Sequence, residues 1–159
     1  MKYRSFCSLL FLSIVMQSCN QSQNQVDGQG GLTRAEKPIL VEDYKAIYQE
    51  DTINLKINTL KSGKITGEME MKIAYMPVKE GKIAGEYKGD TLFASYTFIQ
   101  GGYEKRTFKN PMAFLRKDNQ FILGNGKIQT TMGASYFVKG EPIDFEHVKY
   151  KFTKIEAGK

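Results

Sequence analysis

The amino-acid sequence predicts an all-β domain, an antiparallel meander of about eight strands that closes into a small barrel. Apolar and polar residues alternate along most of the chain after residue 39, as expected for half-buried strands. Turn residues separate these segments, and no long helical pattern interrupts them. A lone strand cannot offset an ordering entropy of about 1–2 kcal/mol per residue, so the apolar faces must meet in a common interior. A sandwich of two sheets is the alternative.

The first half of the domain contains the most regular strands. Residues 52–58 alternate cleanly and place three apolar side chains on one face: Ile53, Leu55 and Ile57. Residues 64–76 form the next predicted strand, and a third follows at 83–87. Residues 92–99 are apolar on both faces, which predicts a strand that is central or lines a cavity.

A short repeat links the second and third strands. Residues 63–69 (GKITGEM) match residues 81–87 (GKIAGEY), and each copy carries a glycine inside the strand, Gly67 and Gly85. Such a glycine marks a bend, a bulge or a close backbone approach. The repeat therefore indicates two equivalent bends in a curling sheet, or two hairpins that merely share their turn chemistry.

The second half is less regular. Its predicted elements, in order, are one long or two short strands over 103–115 divided at Asn110-Pro111, a turn at 117–119, a short strand at 121–123, an irregular stretch at 124–133, a strand at 135–138, one helical turn at 141–146, and a last strand over 148–153.

The N-terminal residues have the pattern of an export signal. Lys2 and Arg4 precede an apolar run of eleven residues, 6–16. A transmembrane helix needs about 20 apolar residues, whereas a run of this length matches the centre of a signal peptide. A buried amphipathic helix is the alternative, but the apolar residues occupy every face. We therefore expect residues 1–18 to be removed.

The residues at the expected cleavage site, Met16-Gln17-Ser18-Cys19, resemble the lipobox of bacterial lipoproteins. They depart from the usual pattern at Met16 and Gln17, where Leu and Ala or Ser are preferred, as looser Bacteroidota lipoboxes do. The resemblance implies cleavage between Ser18 and Cys19 and lipidation of Cys19 by diacylglyceryl and fatty acyl (palmitate-type) chains. Cys19 would be the only thiol of the mature chain, and two or more chains anchor a protein stably.

The expected organisation is a signal peptide at 1–18, a flexible tether at 19–38 and the β domain at 39–159. Residues 20–31 are rich in Gln, Asn and Gly, so they cannot offset their ordering entropy. No acidic cluster follows Cys19, and such a cluster resembles the surface-export signal of Bacteroidota lipoproteins. We therefore expect a lipid-anchored protein of the bacterial cell envelope, on the outer membrane and facing the periplasm.

The order of the hairpins resembles calycin-type barrels of the lipocalin or avidin kind. From residue 45 to about 126, including the segment GDTLFASYTF at 89–98, the chain also resembles a group of small Bacteroidota lipoproteins. This resemblance implies a fold and an envelope location, and it implies no particular activity.

Composition and motifs argue against several functions. The formal net charge is +6, from 23 basic and 17 acidic residues, and removal of Lys2 and Arg4 with the signal leaves 21 − 17, or +4. The lysines are scattered, so we expect no nucleic-acid partner. One histidine and two cysteines nearly exclude a His/Cys metal cage. Glu68 and Glu70 share the outer face of a strand as a solvated edge beside Lys72, and His147 is expected on the surface, so we predict no catalytic residue and no cofactor.

The remaining candidates are six residues predicted to face inward, as a core or as a ligand pocket: Met69, Met71, Tyr87, Tyr96, Phe98 and Phe152. Core packing is the simpler interpretation because a small barrel must be filled. Flexible methionines and amphipathic tyrosines would also suit a small apolar ligand.

Three functions stay open. The favoured one is a non-enzymatic binding or interaction domain for a small apolar ligand or an envelope protein, which an empty cavity lined by Met71, Tyr96 and Phe98 would support. The second is an inhibitor or accessory factor of an envelope enzyme, which a filled core and a protruding ordered loop at 124–133 would support. The third is an enzyme, which a buried cluster of acids converging on His147 would support.

Overall fold

The computed structural model describes residues 36–101, 106–132 and 134–156, and within these ranges the chain forms ten strands and no helix. Eight strands form a closed antiparallel barrel in the order β1, β10, β7, β6, β5, β4, β3, β2, while β8 and β9 pair as a separate hairpin. The prediction of an all-β closed barrel is confirmed, and the architecture is compatible with a calycin-like fold. The sandwich alternative is wrong.

The strands in chain order are β1 (Pro38–Tyr48), β2 (Asp51–Leu60), β3 (Ile65–Lys72), β4 (Lys79–Lys88), β5 (Thr91–Gln100), β6 (Phe108–Lys117), β7 (Gln120–Leu123), β8 (Ile128–Thr131), β9 (Ala134–Phe137) and β10 (Lys151–Ile155). The predicted signal peptide, Cys19 and most of the predicted tether lie outside the described residues.

The barrel has two ends, which we name by their position relative to the start of β1. The proximal end contains that start, the end of β10 and the turns at 61–64, 89–90 and 118–119. The distal end contains the turn at 49–50, the loop at 73–78 and both ends of the long connection 124–150.

Turn chemistry explains two boundaries. Asp118 and Asn119 both have positive φ, 50° and 61°, as a two-residue type I′ hairpin turn requires, and the turn predicted there is confirmed. The strand predicted over 64–76 is too long, because β3 ends at Lys72. The chain then turns back on itself, with the Met76 N–H donating to the Ile73 carbonyl at 3.0 Å.

The repeated glycines lie opposite the repeated isoleucines. β3 and β4 are antiparallel neighbours, so Gly67 pairs with Ile83 and Gly85 pairs with Ile65. A Cβ on Gly67 would lie 2.0 Å from the Lys56 carbonyl oxygen, and one on Gly85 would lie 2.1 Å from that of Phe93. The glycines therefore permit close backbone approach in the wall, and each isoleucine lies beside the space that the partner glycine leaves.

β6 runs through Asn110-Pro111 without a break, whereas a division was one of the two predictions. Pro111 pairs with Ser95 of β5, and β7 pairs only with residues 114–117 on the other side of β6. The missing N–H of Pro111 therefore interrupts no ladder bond to β7, which is the position in a sheet that tolerates proline.

Two predictions in the long connection are wrong. Residues 124–133 contain β8, which pairs with β9 and so acquires strand geometry from its partner. Residues 141–146 form no helical turn, because the backbone of Asp144 bridges to Asn125 and its carboxylate accepts the N–H groups of Glu146 and His147. The last strand also begins later than predicted, at Lys151.

Candidate functional site

The six candidate residues all belong to the interior of the barrel. Met69, Tyr96, Phe98 and Phe152 are buried in one core cluster, and Met71 and Tyr87 are half-buried against it. The Tyr96 hydroxyl donates to the Met69 carbonyl at 2.9 Å, which satisfies this buried polar group inside the core. Burial raises the pKa of Tyr96, so the hydroxyl stays protonated.

Aromatic side chains fill the interior. Phe114 makes edge contacts with Phe121 and Phe152 at centroid distances of 6.2 and 5.9 Å. Tyr96 stacks on Phe98 at 4.7 Å towards the distal end. Tyr96, Phe114, Phe121 and Phe152 have no surface that a water molecule could reach. The candidate residues therefore make a packed core, and the space between these rings leaves no room for a ligand.

Arg116 closes the proximal mouth of the barrel. Its guanidinium donates to the Tyr87 hydroxyl at 2.6 Å and lies over the rings of Tyr87 and Phe121, at 4.9 and 5.3 Å from their centroids. A planar cation between two rings is a favourable arrangement when it is partly desolvated. Arg116 thus covers the aromatic core with a charged group.

Glu42 completes this proximal cluster. Its side chain is only 11% exposed, and Oε1 accepts a hydrogen bond from Lys154 Nζ at 2.9 Å. Oε2 lies 4.0 Å from Arg116 and has no hydrogen-bond partner among the described residues. Burial and the neighbouring carboxylate raise the pKa of Tyr44 to about 12. The cluster borders a polar cavity of about 340 Å³ whose walls carry two basic and two acidic residues.

The sequence analysis missed Glu42 and Arg116 as a pair. The alternation of inward and outward residues along each strand could have identified them. Glu42 lies on the same strand face as Tyr44 and Ala46, and Arg116 lies on the same face as Phe114. A charged residue on an otherwise apolar inner face predicts a polar closure of a barrel end.

An open groove of about 840 Å³ lies on the outer face of β1 to β4. Its charged residues form a ladder across the strands, in which Asp43 pairs with Lys56, Lys56 with Glu68, and Glu68 with Lys82. Opposite charges at paired positions stabilise a sheet, which accounts for these residues structurally. Glu68 and Glu70 were expected at a sheet edge. Because the barrel is closed, β3 has a hydrogen-bonded neighbour on each side, β2 and β4, and is not an edge strand.

Glu70, next to this ladder, is held by two neighbours. Its carboxylate lies 2.8 Å from Lys72 and accepts a hydrogen bond from Asn54 at 3.0 Å. These two contacts lower the pKa of Glu70. Glu68 and Glu70 point to the outside, as predicted, and the lowered pKa of Glu70 is the opposite of what a general acid requires.

The distal end is closed by a hydrogen bond to a carboxylate and by aromatic rings. Asp51 accepts the Tyr150 hydroxyl at 2.6 Å and the Ala74 N–H at 2.8 Å, and these bonds lower its pKa. Burial and the Asp51 bond raise the pKa of Tyr150 to about 12. The Tyr150 ring also meets Tyr48 edge-on at 6.2 Å. These contacts tie the 73–78 loop and the long connection to the barrel.

The loop at 73–78 presents apolar side chains to solvent. Tyr75 is 99% exposed and has a φ of 60°, a conformation that bulky residues rarely adopt. Met76 beside it is also exposed. An exposed aromatic residue held in a strained backbone is an observation that points to a contact function.

The β8–β9 hairpin presents a second apolar surface. Its Phe137 packs on Gly126, where an added Cβ would lie 2.5 Å from the ring, and Tyr136 and Phe137 line one surface groove with Phe93 and Pro111 of the barrel. Three side chains of the hairpin remain exposed: Ile128, Met132 and Tyr136.

His147 lies at the surface near the distal end. The side chain is strongly exposed, and Nδ1 lies 3.1 Å from the Asp144 carboxylate. The backbone N–H groups of His147 and Glu146, followed by the His147 ring, lower the pKa of Asp144. Within the described ranges, no three His, Cys, Asp or Glu side chains converge in an arrangement that could hold a metal ion.

None of the described segments forms a helix of the length and apolarity that a bilayer crossing requires. Compared with protein-family models, with curated proteins and with solved structures, the chain matches none of them.

Proposed function

We infer that the chain is a lipid-anchored protein of the bacterial cell envelope whose barrel is a non-catalytic domain for contact with another protein. The packed interior carries this proposal, because a barrel without room for a ligand leaves its outer surfaces as the means of recognition. The anchor is Cys19, on the lipobox resemblance, and the outer membrane facing the periplasm is the proposed location.

The contact surface is the distal loop, with Tyr75 and Met76 as its centre. Tyrosine and methionine are enriched in protein interfaces, where a large side chain can enter a pocket of the partner. The bonds of Asp51 to the Ala74 N–H and to Tyr150 hold the base of the loop, so the contact residues are presented in an ordered conformation. Pre-ordering lowers the entropy cost of binding.

A second candidate function is inhibition of an envelope enzyme, or an accessory role beside one. Both features expected of such a factor are present, a filled core and an ordered segment within 124–133, where β8 forms a hairpin with β9 and the fully exposed Met132 lies at its tip. The empty cavity expected of a domain for a small apolar ligand is not found between the described core rings. The two candidates differ in which segment makes the contact.

The anchor is tested by feeding an alkyne fatty acid to cells that express the full chain. We expect the label on the wild-type protein and on Cys7→Ala, whose thiol lies in the removed signal, and its complete loss from Cys19→Ala. Label retained by Cys19→Ala, or unprocessed chain in the cytosol, would contradict the anchor.

The contact surface is tested by photo-crosslinking in cells, with p-benzoylphenylalanine placed at Tyr75, at Met132 or at the exposed control position Thr97 of β5. We expect one adduct of defined mass from Tyr75 that is lost when Met76→Asp is added, and none from Thr97. An adduct from Met132 alone would favour the inhibitor candidate. A small molecule that co-purifies with the chain in native mass spectrometry would overturn the packed-core argument.

A further inference from the structure

A run of exposed apolar residues lies at the proximal end. Pro38, Ile39, Leu40 and Val41 begin β1 and all are exposed, and Ile155 of β10, opposite Asp43, is exposed close by. Pro38, Leu40 and Val41 pair with Leu60, Thr59 and Asn58 of β2, and the register shifts between Pro38 and Leu40, so Ile39 lies at a bulge of a paired strand. We call Ile39, Leu40, Val41 and Ile155 the proximal strip.

The strip differs from the rest of the wall beside it. The next outward positions along β1 to β4 carry the charge ladder. The next inward residues of β1 are the largely buried Glu42 and then the buried Tyr44 and Ala46. Consecutive exposed apolar residues are disfavoured in a soluble domain unless another surface covers them. A covering surface is therefore expected at this end.

The chain itself limits what that surface is. Residues 1–35 join the barrel at Glu36, and Glu36 is fixed to the proximal end because its carboxylate accepts the N–H and the hydroxyl of Ser62, both at 2.8 Å. Cys19 is seventeen residues from Glu36, a reach of at most about 60 Å. A lipid on Cys19 would hold the strip at high effective concentration near a bilayer, where even a weak contact is occupied.

The charges around the strip suit a phospholipid surface. Lys37 precedes the strip, and Lys61 and Lys64 stand in the turn beside Leu60, all exposed. Glu36, next to Lys37 in the chain, is engaged by Ser62, and Asp43, opposite Ile155, pairs with Lys56. Exposed lysines around an apolar contact add attraction to anionic headgroups.

We propose that the proximal strip rests on the phospholipid bilayer, so that the barrel stands on the membrane by its proximal end and directs its distal loop away from it. This inference depends on the proposed anchor at Cys19. It adds a second, direct contact between the folded domain and the lipid, which a tether alone does not require.

The absence of tryptophan from the sequence makes a direct test possible. Ile39→Trp places a fluorophore in the strip, and Ile47→Trp is its matched control, because the two side chains lie on the same strand with equal exposure, 67% and 66%. They are about 26 Å apart along the strand. The processed lipoprotein is reconstituted into vesicles of phosphatidylethanolamine and phosphatidylglycerol that carry brominated acyl chains.

We expect emission from position 39 to shift to shorter wavelength and to be quenched at least about twofold more than emission from position 47, because interfacial side chains lie within roughly 5–10 Å of the acyl boundary. Adding Val41→Asp should reverse most of the quenching. Ile155→Trp is a second reporter should Ile39→Trp lower the melting temperature.

Flotation with the vesicles separates the two proposals. Protein that floats but shows equal quenching at 39 and 47, or none at either, overturns the docking of the strip and leaves the anchor intact. Processed protein that fails to float overturns the anchor, and the docking proposal is lost with it.

Discussion

The two ends of the barrel are closed by different chemistry. At the proximal end, Glu42, Arg116 and Lys154 form a half-buried charged cluster over the aromatic core. At the distal end, the Tyr150 hydroxyl donates a hydrogen bond to the Asp51 carboxylate, and the Tyr150 ring meets Tyr48 edge-on. Phe98 stacks on Phe108 at 5.5 Å at the same end. A barrel with a packed interior needs only a cover at each end, and either chemistry provides one.

The two ends also differ in the apolar residues that they expose to solvent. The proximal strip is aliphatic and lies at the paired, bulged start of β1 and on β10, whereas the distal loop presents Tyr75 from a strained turn. Aliphatic side chains on a flat strand suit a fluid, unstructured surface, while a single projecting aromatic suits a defined pocket. This difference is consistent with the two contacts that we propose, lipid at the proximal end and protein at the distal end.

The largest expected effect concerns the wall that both ends share. Gly85→Ala would place a Cβ 2.1 Å from the Phe93 carbonyl oxygen, so β4 and β5 must separate. We expect a loss of about 3 kcal/mol or more in the free energy of unfolding, measured by urea denaturation. Ala84→Ser, one residue away on the exposed face, should change stability by less than about 0.5 kcal/mol. A small effect of Gly85→Ala would mean that the wall can open, and the ends would then not be parts of one rigid body.

The proximal cluster is tested by Arg116→Ala. The change removes the hydrogen bond to Tyr87 and the stacking on two rings, and it takes from the buried Glu42 one of its two neighbouring cations. We expect a loss of about 2 kcal/mol, the sum of a hydrogen bond and a partly desolvated cation–π contact. Lys117→Ala, the exposed neighbour, is the control. Equal effects of the two changes would show that the cluster is ordinary surface.

The distal hydrogen bond is tested by Tyr150→Phe, for which we expect a loss of about 1 kcal/mol at neutral pH. The pKa of Tyr150 is raised from 10.0 to about 12, so its contribution is complete below pH 10 and is lost as the pH rises through about 12. Tyr44 at the proximal end has the same raised pKa, about 12. The free energy of unfolding should therefore fall less steeply between pH 10 and 12 in Tyr150→Phe than in the wild type, and Tyr44 should account for part of the fall that remains. The same dependence on pH in both proteins would contradict the bond.

The smallest effect is expected from Tyr75→Gly. Glycine adopts a φ of 60° without strain, so the variant should be more stable by about 0.5–1 kcal/mol or unchanged. At the same time, crosslinking from a photoreactive residue at Met76 should fall strongly. Destabilisation together with intact crosslinking would mean that Tyr75 is a structural residue.

The local sequence pattern predicted a strand or turn correctly where the segments that pair with it lie next to it in the chain. The alternation at 52–58 lies inside β2, and the turn before β7 was placed correctly, since hairpins depend on nearby residues. Local pattern failed where the partner is distant. β8 has four exposed residues and no apolar face, so only pairing with β9 makes it a strand. The predicted helical turn at 141–146 was lost to the bridge between Asp144 and Asn125.

For the candidate site too, local pattern predicted some properties, and contacts between distant residues decided the others. The inward direction of Met69, Tyr96 and Phe98 follows from the period of a strand, but the same period cannot distinguish a packed core from a pocket. That depends on how the rings of β5, β6, β7 and β10 meet, which involves residues far apart in the chain. The closures by Glu42 and Arg116, and by Asp51 and Tyr150, depend on barrel closure in the same way.

The sequence by itself determined the all-β class, the run of hairpins and the inner and outer faces of the strands, because alternation and turn residues act over a few positions. Tertiary structure alone decided that the interior is filled, which charged groups cover each end and where apolar residues remain exposed. These properties are set by volume and distance between strands that the chain brings together only when the barrel closes.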